Sequence, residues 1–285
     1  MPLIFCYGLV CSSLHWTYQI DYFRQRYKCI WFDYRGHQNS DTPTDLSTLT
    51  LDAFSQDLKI LMDELNVPDA VILGHSMGVN VVLEFLRQNP TRVKGMVLAN
   101  GTAKKPLENL FGSNVFQGVF ELLRRIDKLS PKALDLIWNL QKKNPLRNTI
   151  VGLGGFNTYL TPPEDIAHYV DTVMEMDPKI LLNLIENYDN YDATAWLHTI
   201  QQPALIFSGE NDRMIPLDQQ ELLKQLIPRS ELEIIRHGSH CPQMDLPELV
   251  NHRIEKFLAD IHYVEEGTKI QSAQGNLQST QSGIS

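Results

Sequence analysis

The pentapeptide Gly74-His75-Ser76-Met77-Gly78 places a hydroxyl between two glycines. It follows an apolar run predicted to be a strand, residues 70–74, and precedes a helical pattern at residues 79–87. A serine at such a sharp strand-to-helix turn is held in a strained conformation that lifts its hydroxyl clear of the sheet. The helix N-terminus behind it favours developing negative charge. The motif therefore predicts that Ser76 is a nucleophile, the alternative being an ordinary glycine-rich turn.

A serine hydroxyl becomes a good nucleophile only when a neighbouring base removes its proton and a carboxylate orients that base. His240 lies shortly after the last predicted strand, residues 231–235, and Asp212 follows the preceding strand, residues 203–209. The carboxyl ends of parallel strands meet at one edge of a sheet. The sequence thus predicts a catalytic set of Ser76, Asp212 and His240.

Both partners of the serine have rivals nearby. Glu210 sits two residues closer to its strand than Asp212, and Asp212 can also cap the turn before Ile215. His237 competes with His240 for the role of base.

Alternating strand and helix patterns supply the framework that would position these residues. After residue 101 no convincing strand run occurs until residue 203, and apolar residues recur at helical spacing. We therefore predict one α/β core, residues 1–101 and 199–262, interrupted by a helical insertion, residues 102–198. The remaining predicted strands are 3–7, 29–33 and 93–99, and the remaining helices are 51–65, 217–226 and 247–258.

The last part of the chain, residues 263–285, changes to glutamine, serine, threonine and glycine. Such a segment buries too little apolar surface to offset its ordering entropy, so we predict a disordered tail.

Composition excludes several classes of function. The 285 residues are 43% hydrophobic and carry a formal net charge of −9, which argues against a nucleic-acid partner. The four cysteines show no C-x-x-C spacing and follow no secretory leader, which favours a cytoplasmic location. No apolar run approaches the roughly 20 residues that span a bilayer, so no transmembrane segment is expected. No metal or cofactor is predicted, and Cys241 is interpreted as a packing residue.

The motif at residues 74–78 and the chain order Ser76, Asp212, His240 resemble the α/β-hydrolase family, in its lid-bearing esterase and peroxidase-like branch. The resemblance covers residues 3–261. It implies a mostly parallel sheet flanked by helices, with the insertion serving as a cap after the sixth family strand. Some family members keep the acid after the strand matching residues 93–99, where this chain has the amide Asn100.

Acyl transfer also needs two backbone N–H groups to hold the oxyanion. Met77, next to the nucleophile, is one predicted donor. The family resemblance implies a second in Tyr7-Gly8-Leu9, where Leu9 is the donor and Tyr7 replaces the usual histidine. In the same loop, His15 either lines the pocket mouth or packs the next helix.

The N-terminal region departs from the resemblance, because family members carry two strands before the one matching residues 3–7. Strand 29–33 then becomes a sheet edge with an apolar row at residues 29–32. Exposed apolar edges invite pairing with another chain. We therefore expect either that the true start lies upstream, or that this strand is covered by the tail or by a partner, self-association being one such pairing.

These residues together predict a hydrolase that cleaves a carboxylic ester or related acyl bond of a small to medium hydrophobic substrate through an acyl-enzyme. The alternatives are a C–C bond, thioester or lactone hydrolase or an acyltransferase with the same residues, and a non-catalytic ligand-binding scaffold. Ser76 argues against the epoxide and haloalkane branches, which use a carboxylate there. Insertion residues that can face the substrate are Leu110, Phe111, Val115, Phe116, Val119, Phe120, Trp138, Phe156 and Tyr159.

Overall fold

A computed structural model describes residues 1–104 and 115–263 of the chain. Six strands pair into one sheet in the order β2-β1-β3-β4-β5-β6, and every described pairing is parallel. The predicted parallel sheet is therefore confirmed. The strands are β1 (Pro2–Cys6), β2 (Lys28–Trp31), β3 (Ala70–His75), β4 (Val93–Ala99), β5 (Ala204–Gly209) and β6 (Ser230–Ile235).

Eleven α-helices are described, and several short 3₁₀ turns join the elements. The helices of the core are α1 (Thr17–Phe23), α2 (Leu51–Glu64), α3 (Met77–Gln88), α9 (Leu217–Leu226), α10 (Pro242–Asp245) and α11 (Pro247–Asp260). The helices between β4 and β5 are α4 (Val115–Leu129), α5 (Pro131–Lys142), α6 (Arg147–Gly155), α7 (Pro163–Glu175) and α8 (Pro178–Asp189).

Burial explains the different sequence patterns of two neighbouring core helices. In α2 the buried residues Leu51, Phe54, Leu58 and Met62 recur at helical spacing, so only one face meets the core. In α3 every residue from Met77 to Leu86 is buried, because this helix lies between β3, α2 and other core elements. A helix buried all round leaves little freedom to its first residue, which immediately follows Ser76.

Between β4 and β5 the described residues form five helices joined by turns, and none of the named strands lies there. The two ends of this segment meet in an isolated antiparallel bridge between Lys104 and Asp192. Phe120 is buried among other side chains of the insertion, and Phe156 is buried between the insertion and Cys241 and Met244 of the core. Val119 and Tyr159 are exposed. The predicted contacts of Leu110 and Phe111 lie outside the described residues, as do the side chains of Val115 and Phe116.

The two ends of the described chain meet beside the edge strand. Tyr263, the first residue of the predicted tail, is buried, and its hydroxyl donates to Pro2 O at 2.8 Å. The rest of that tail lies outside the described residues. β2 is the edge strand, as expected, with Ile30 buried and Trp31 50% exposed. Self-association through this edge stays a prediction. Within residues 1–104 and 115–263, no helix is long and apolar enough to cross a membrane.

Candidate active site

Ser76 occupies the strained turn that its motif predicts. Its backbone has φ 55° and ψ −123°, in a region that favours glycine, directly between β3 and α3. Side chains at the two motif glycines would collide with backbone. A Cβ at Gly74 would lie 2.6 Å from Gly78 O, and a Cβ at Gly78 would lie 2.4 Å from Cys6 O. The glycines therefore let α3 approach the sheet closely enough to hold Ser76 at its N-terminus.

The strain at Ser76 predicts that function is maintained here at the expense of stability. Ser76→Gly relieves an unfavourable φ and is expected to raise the free energy of unfolding by about 1 kcal/mol while abolishing activity. Ser76→Ala keeps the strained φ and should unfold like the natural chain. Urea unfolding of the three proteins provides the test, and a glycine variant no more stable than the alanine variant would contradict the strain.

The predicted acid and base are in contact. His240 Nδ1 lies 2.9 Å from Asp212 Oδ2, and the two side chains are only 5% and 1% exposed. The same carboxylate oxygen accepts a 2.5 Å hydrogen bond from Asn100 Nδ2. Asp212 Oδ1 accepts from the backbone N–H groups of Met214 at 2.7 Å and Ile215 at 2.9 Å. These donors satisfy the buried carboxylate and fix the oxygen that faces the imidazole.

The rival acid and base lie together on the surface instead. Glu210 Oε2 accepts from the backbone N–H of His237 at 2.8 Å and lies 3.8 Å from its ring, and both side chains are about half exposed or more. Asn100, which stands at the other family position for the acid, supports Asp212 by donating to it. Sequence reasoning missed this supporting role, although a buried amide at a strand end was a usable signal.

The backbone of His240 contacts His75, the residue before Ser76. His75 Nε2 lies 2.8 Å from the main-chain oxygen of His240, and the two rings are 4.9 Å apart between centroids. Among the hydrogen bonds of the described chain, none joins the Ser76 hydroxyl to His240. Such contacts are often long in unliganded enzymes and tighten when substrate binds.

The loop after β1 packs against the serine, as an oxyanion site requires. A Cβ at Gly8 would lie 3.0 Å from Ser76 Cβ, so the loop that carries Leu9 lies against Ser76. Within the described hydrogen bonds, the N–H groups of Leu9 and Met77 donate to no protein acceptor. Tyr7 stiffens this loop, because its hydroxyl accepts from Tyr34 N at 2.9 Å and its carbonyl accepts from Tyr34 Oη at 3.1 Å.

Asp245 ties the insertion to the loop that carries His240, a role the sequence did not reveal. Its Oδ2 accepts from the backbone N–H of Ser239 at 2.6 Å. Its Oδ1 accepts from Asn157 N at 3.0 Å and Thr161 Oγ1 at 2.5 Å, both between α6 and α7. Asn157 also donates to His237 O at 2.8 Å. The insertion and the base loop are therefore joined by a shared buried carboxylate.

Asp245→Asn is expected to lower the free energy of unfolding by about 1–3 kcal/mol, because either amide orientation turns N–H protons toward a buried donor. The midpoint of thermal unfolding should fall by several degrees, whereas the exposed Asp41→Asn should leave it unchanged. Equal midpoints for both variants would contradict the buried link.

Burial keeps two histidines beside the base in the neutral form. Desolvation, with a smaller electrostatic contribution from His240, lowers the pKa of His15 to about 3. Desolvation likewise holds the pKa of His75 well below 6.5, with further contributions from His15 and His240. Neither ring therefore takes up a proton near neutral pH.

The lowered pKa of His15 has a measurable effect on stability. Below about pH 6.5 the unfolded chain binds a proton at His15 that the folded chain excludes until about pH 3. The contribution of the neutral His15 ring to the free energy of unfolding is therefore complete above pH 6.5 and is lost as the pH falls toward 3. Between about pH 6 and 4, the free energy of unfolding should fall less steeply with decreasing pH in His15→Phe than in the natural chain. The two slopes should differ by about 1.4 kcal/mol per pH unit. Denaturant unfolding at several pH values measures this slope, and parallel curves would contradict a neutral His15.

Within the described residues, no group of three or more His, Cys, Asp or Glu side chains could hold a metal ion. All four cysteines are free thiols.

Comparison with known proteins places this geometry in a family. The human protein "Epoxide hydrolase 4" is 25% identical over 255 residues, covering 86% of this chain and 68% of that protein. "3-oxoadipate enol-lactonase 2" from Acinetobacter baylyi is 25% identical over 259 residues, covering 89% of this chain and 86% of that protein. A thermophilic esterase from Thermogutta terrifontis superposes with a TM-score of 0.75 at 22% identity, covering 92% of this chain and 90% of the esterase.

The sequence profile of the alpha/beta hydrolase fold matches residues 1–150 and 167–247, which include Ser76, Asp212 and His240. The parallel sheet, the strained turn after β3 and the strand order agree with that match. The chain belongs to the α/β-hydrolase fold family and is a hydrolase of that family.

Proposed function

We propose that this hydrolase is a serine carboxylic-ester hydrolase that works through an acyl-enzyme. The observation that carries the proposal is the buried His240–Asp212 pair, 2.9 Å apart, beside a strained Ser76 at a helix N-terminus. A serine, an imidazole and a carboxylate so arranged are the minimum set for nucleophilic acyl transfer.

In the proposed first half-reaction, Ser76 Oγ attacks the substrate carbonyl carbon while His240 Nε2 takes the hydroxyl proton. The N–H groups of Leu9 and Met77 donate to the resulting oxyanion. Asp212 holds Nδ1–H of His240 and stabilises the imidazolium. Collapse of the tetrahedral intermediate breaks the bond to the alcohol, which leaves with the proton from His240.

Water completes the cycle in the second half-reaction. His240 removes a proton from a water molecule while the water oxygen attacks the carbonyl carbon of the acyl group on Ser76. The second tetrahedral intermediate collapses, the serine oxygen regains a proton from His240, and the carboxylic acid leaves. No external oxidant, reductant or cofactor enters either half-reaction.

The insertion supports an apolar substrate and a capping role. Leu9, the proposed oxyanion donor, packs against an apolar cluster formed by residues of α4, α5 and α8. On the other side, Phe156, Ile166 and Val170 pack with Cys241, which adjoins the base. Apolar side chains of the insertion thus reach both the oxyanion loop and the base loop. We propose that the insertion caps the site and that the substrate is a small to medium hydrophobic ester.

Similarity to a lactonase supports lactones as a second substrate class, because a lactone is a cyclic ester that the same steps open. Epoxides are a poorer fit despite the similarity to an epoxide hydrolase. Attack by a serine on an epoxide gives an ether, which an oxyanion site cannot help water to cleave. A carboxylate nucleophile gives an ester, and an oxyanion site can help water to cleave that ester.

The test is hydrolysis of p-nitrophenyl esters with acyl chains from short to long, a simple lactone, and an aryl epoxide as a negative control. We expect turnover of esters, with an optimum chain length that reports the size of the site, and no diol from the epoxide. Ligand binding without turnover of any ester, lactone or thioester would overturn the proposal in favour of a binding scaffold. Epoxide opening alone would overturn the serine mechanism.

A further inference from the structure

Two buried histidines adjoin the base without taking part in the proposed steps. His15 is 2% exposed and His75 is fully buried, and their Nδ1 atoms lie 3.0 Å apart. His75 Nε2 faces the main-chain oxygen of His240 at 2.8 Å. The three residues are separated by 60 and 165 positions in the chain, so this contact is tertiary.

The partners of each nitrogen determine where its proton lies. A carbonyl oxygen only accepts hydrogen bonds, so His75 Nε2 carries the proton and donates to His240 O. His75 is neutral, and its Nδ1 is therefore bare. His15 Nδ1 must then carry a proton and donate to it. His15 is also neutral, which leaves its Nε2 bare.

The bare Nε2 of His15 faces the thiol of Cys241, whose Sγ lies 4.0 Å away. Burial raises the pKa of this thiol well above 9, so it keeps its proton and can point it at His15. Cys241 is bonded through its backbone to His240. The Cys241 Sγ also lies 3.9 Å from His75 Nε2, so the thiol packs beside both rings, and the short hydrogen bond that holds the His240–Cys241 peptide is the one from His75 Nε2 to His240 O.

We propose that His75 and His15 are positioning residues that lock the backbone of His240, so that its ring faces both Asp212 and Ser76. The inference rests on the proposed function for its catalytic consequence only, because the lock itself is a property of the folded chain. His75 acts directly, by donating a hydrogen bond from Nε2 to the carbonyl oxygen of His240. His15 acts through His75, by donating a hydrogen bond from its Nδ1 to the bare Nδ1 of His75.

Neutral rings suit this place better than charged ones. His240 becomes an imidazolium during the proposed reaction, and the His75 ring centroid is only 4.9 Å from it. A second cation there would oppose that charge. Desolvation keeps the His75 ring neutral and so prevents a second positive charge beside His240. A lysine or arginine donor at the same place would carry that charge.

The lock also contacts the insertion. The His15 ring stacks on Tyr169 of α7, with centroids 5.1 Å apart and planes 14° apart. The Tyr169 hydroxyl accepts from Cys11 Sγ at 3.5 Å, and the same thiol lies 3.1 Å from Leu9 O in the oxyanion loop. Phenylalanine is therefore the replacement for His15, because it can keep the stack on Tyr169 while it removes the Nδ1 donor to His75 and the Nε2 atom that faces Cys241.

Three single variants and one double variant separate positioning from packing. His75→Leu removes the donor to His240 O, and kcat for a p-nitrophenyl ester should fall about 10- to 100-fold with KM changed by less than about twofold. His75→Gln places an amide N–H where Nε2 stood and should recover most of the loss. His15→Phe should cost less than His75→Leu, and the double variant should equal His75→Leu alone, since His15 acts only through His75.

A second readout needs no catalysis. NMR of protein labelled with ¹⁵N-histidine should show His75 protonated at Nε2 and His15 protonated at Nδ1. It should also show a proton on His240 Nδ1 that exchanges slowly with water, because it is hydrogen-bonded to the Asp212 carboxylate. In His75→Leu that proton should exchange at least about tenfold faster, and in His75→Gln it should exchange at nearly the natural rate.

The two readouts fail separately. A natural chain without hydrolase activity, but with these tautomers and this exchange difference, overturns the proposed function and retains the lock. Opposite tautomers, or an unchanged kcat and unchanged His240 exchange in His75→Leu, overturn the lock whatever the substrate. Additive losses in the double variant overturn the serial role of His15.

Discussion

Replacing Ser76 with alanine is expected to lower kcat for ester hydrolysis by at least about 10⁴-fold, to the residual rate of a site that only binds and polarises the ester. The cause is loss of the attacking oxygen, because the His240–Asp212 pair and the two N–H donors remain. KM should change little, since the hydroxyl makes its main contribution in the transition state. Steady-state kinetics on the optimum p-nitrophenyl ester measure both constants.

Ser47→Ala is the matched control, because it removes an exposed hydroxyl from a 3₁₀ turn of the core. Its kinetics should equal those of the natural chain. If Ser76→Ala retained more than about a tenth of the natural kcat, direct attack by water or by another residue would replace the acyl-enzyme mechanism.

Asp212→Asn is expected to lower kcat by about 10⁴-fold. The asparagine amide would present either an oxygen or an N–H group to Nδ1, and neither supplies the charge that stabilises the imidazolium. The variant also places two amides, Asn100 and the new asparagine, against each other where a carboxylate accepted a hydrogen bond. The effect should appear in kcat at every pH from 6 to about 9.

Glu210→Gln distinguishes the acid from its neighbour in the same turn. Glu210 is exposed and contacts His237, so its variant should keep kcat within about threefold of the natural value. A larger loss in Glu210→Gln than in Asp212→Asn would reverse the assignment of the acid and, with it, the role of the buried pair.

Local patterns in the sequence predicted the nucleophile turn well, because the strand, the glycines and the following helix are adjacent in the chain. The prediction for Asp212 and His240 required only the rule that strand ends converge, and the two side chains are in contact in the structure. Strand β2 ends at Trp31 rather than at the predicted residue 33, because its pairing with β1 ends at Phe5. The length of β2 is therefore set by its pairing with β1 and could not be predicted from its apolar residues alone.

Long-range hydrogen bonds account for what the sequence did not reveal. Asn100 donates to a residue 112 positions away, and Asp245 accepts from Asn157, 88 positions away. No local spacing records such contacts. His15 was expected either at the pocket mouth or packed against the next helix, and the structure shows it buried against His75 and Tyr169. Its neutral, donating tautomer follows only from the neighbours on both nitrogens.

The most direct test of the account is to map the residue that a fluorophosphonate modifies, by intact mass and then by peptide mass spectrometry. We predict one adduct per chain, on the hydroxyl of Ser76, absent from Ser76→Ala and formed far more slowly in His240→Gln than in His237→Gln. No adduct on the natural chain, or an adduct on another residue that persists in Ser76→Ala, would contradict the assignment of Ser76 as the nucleophile.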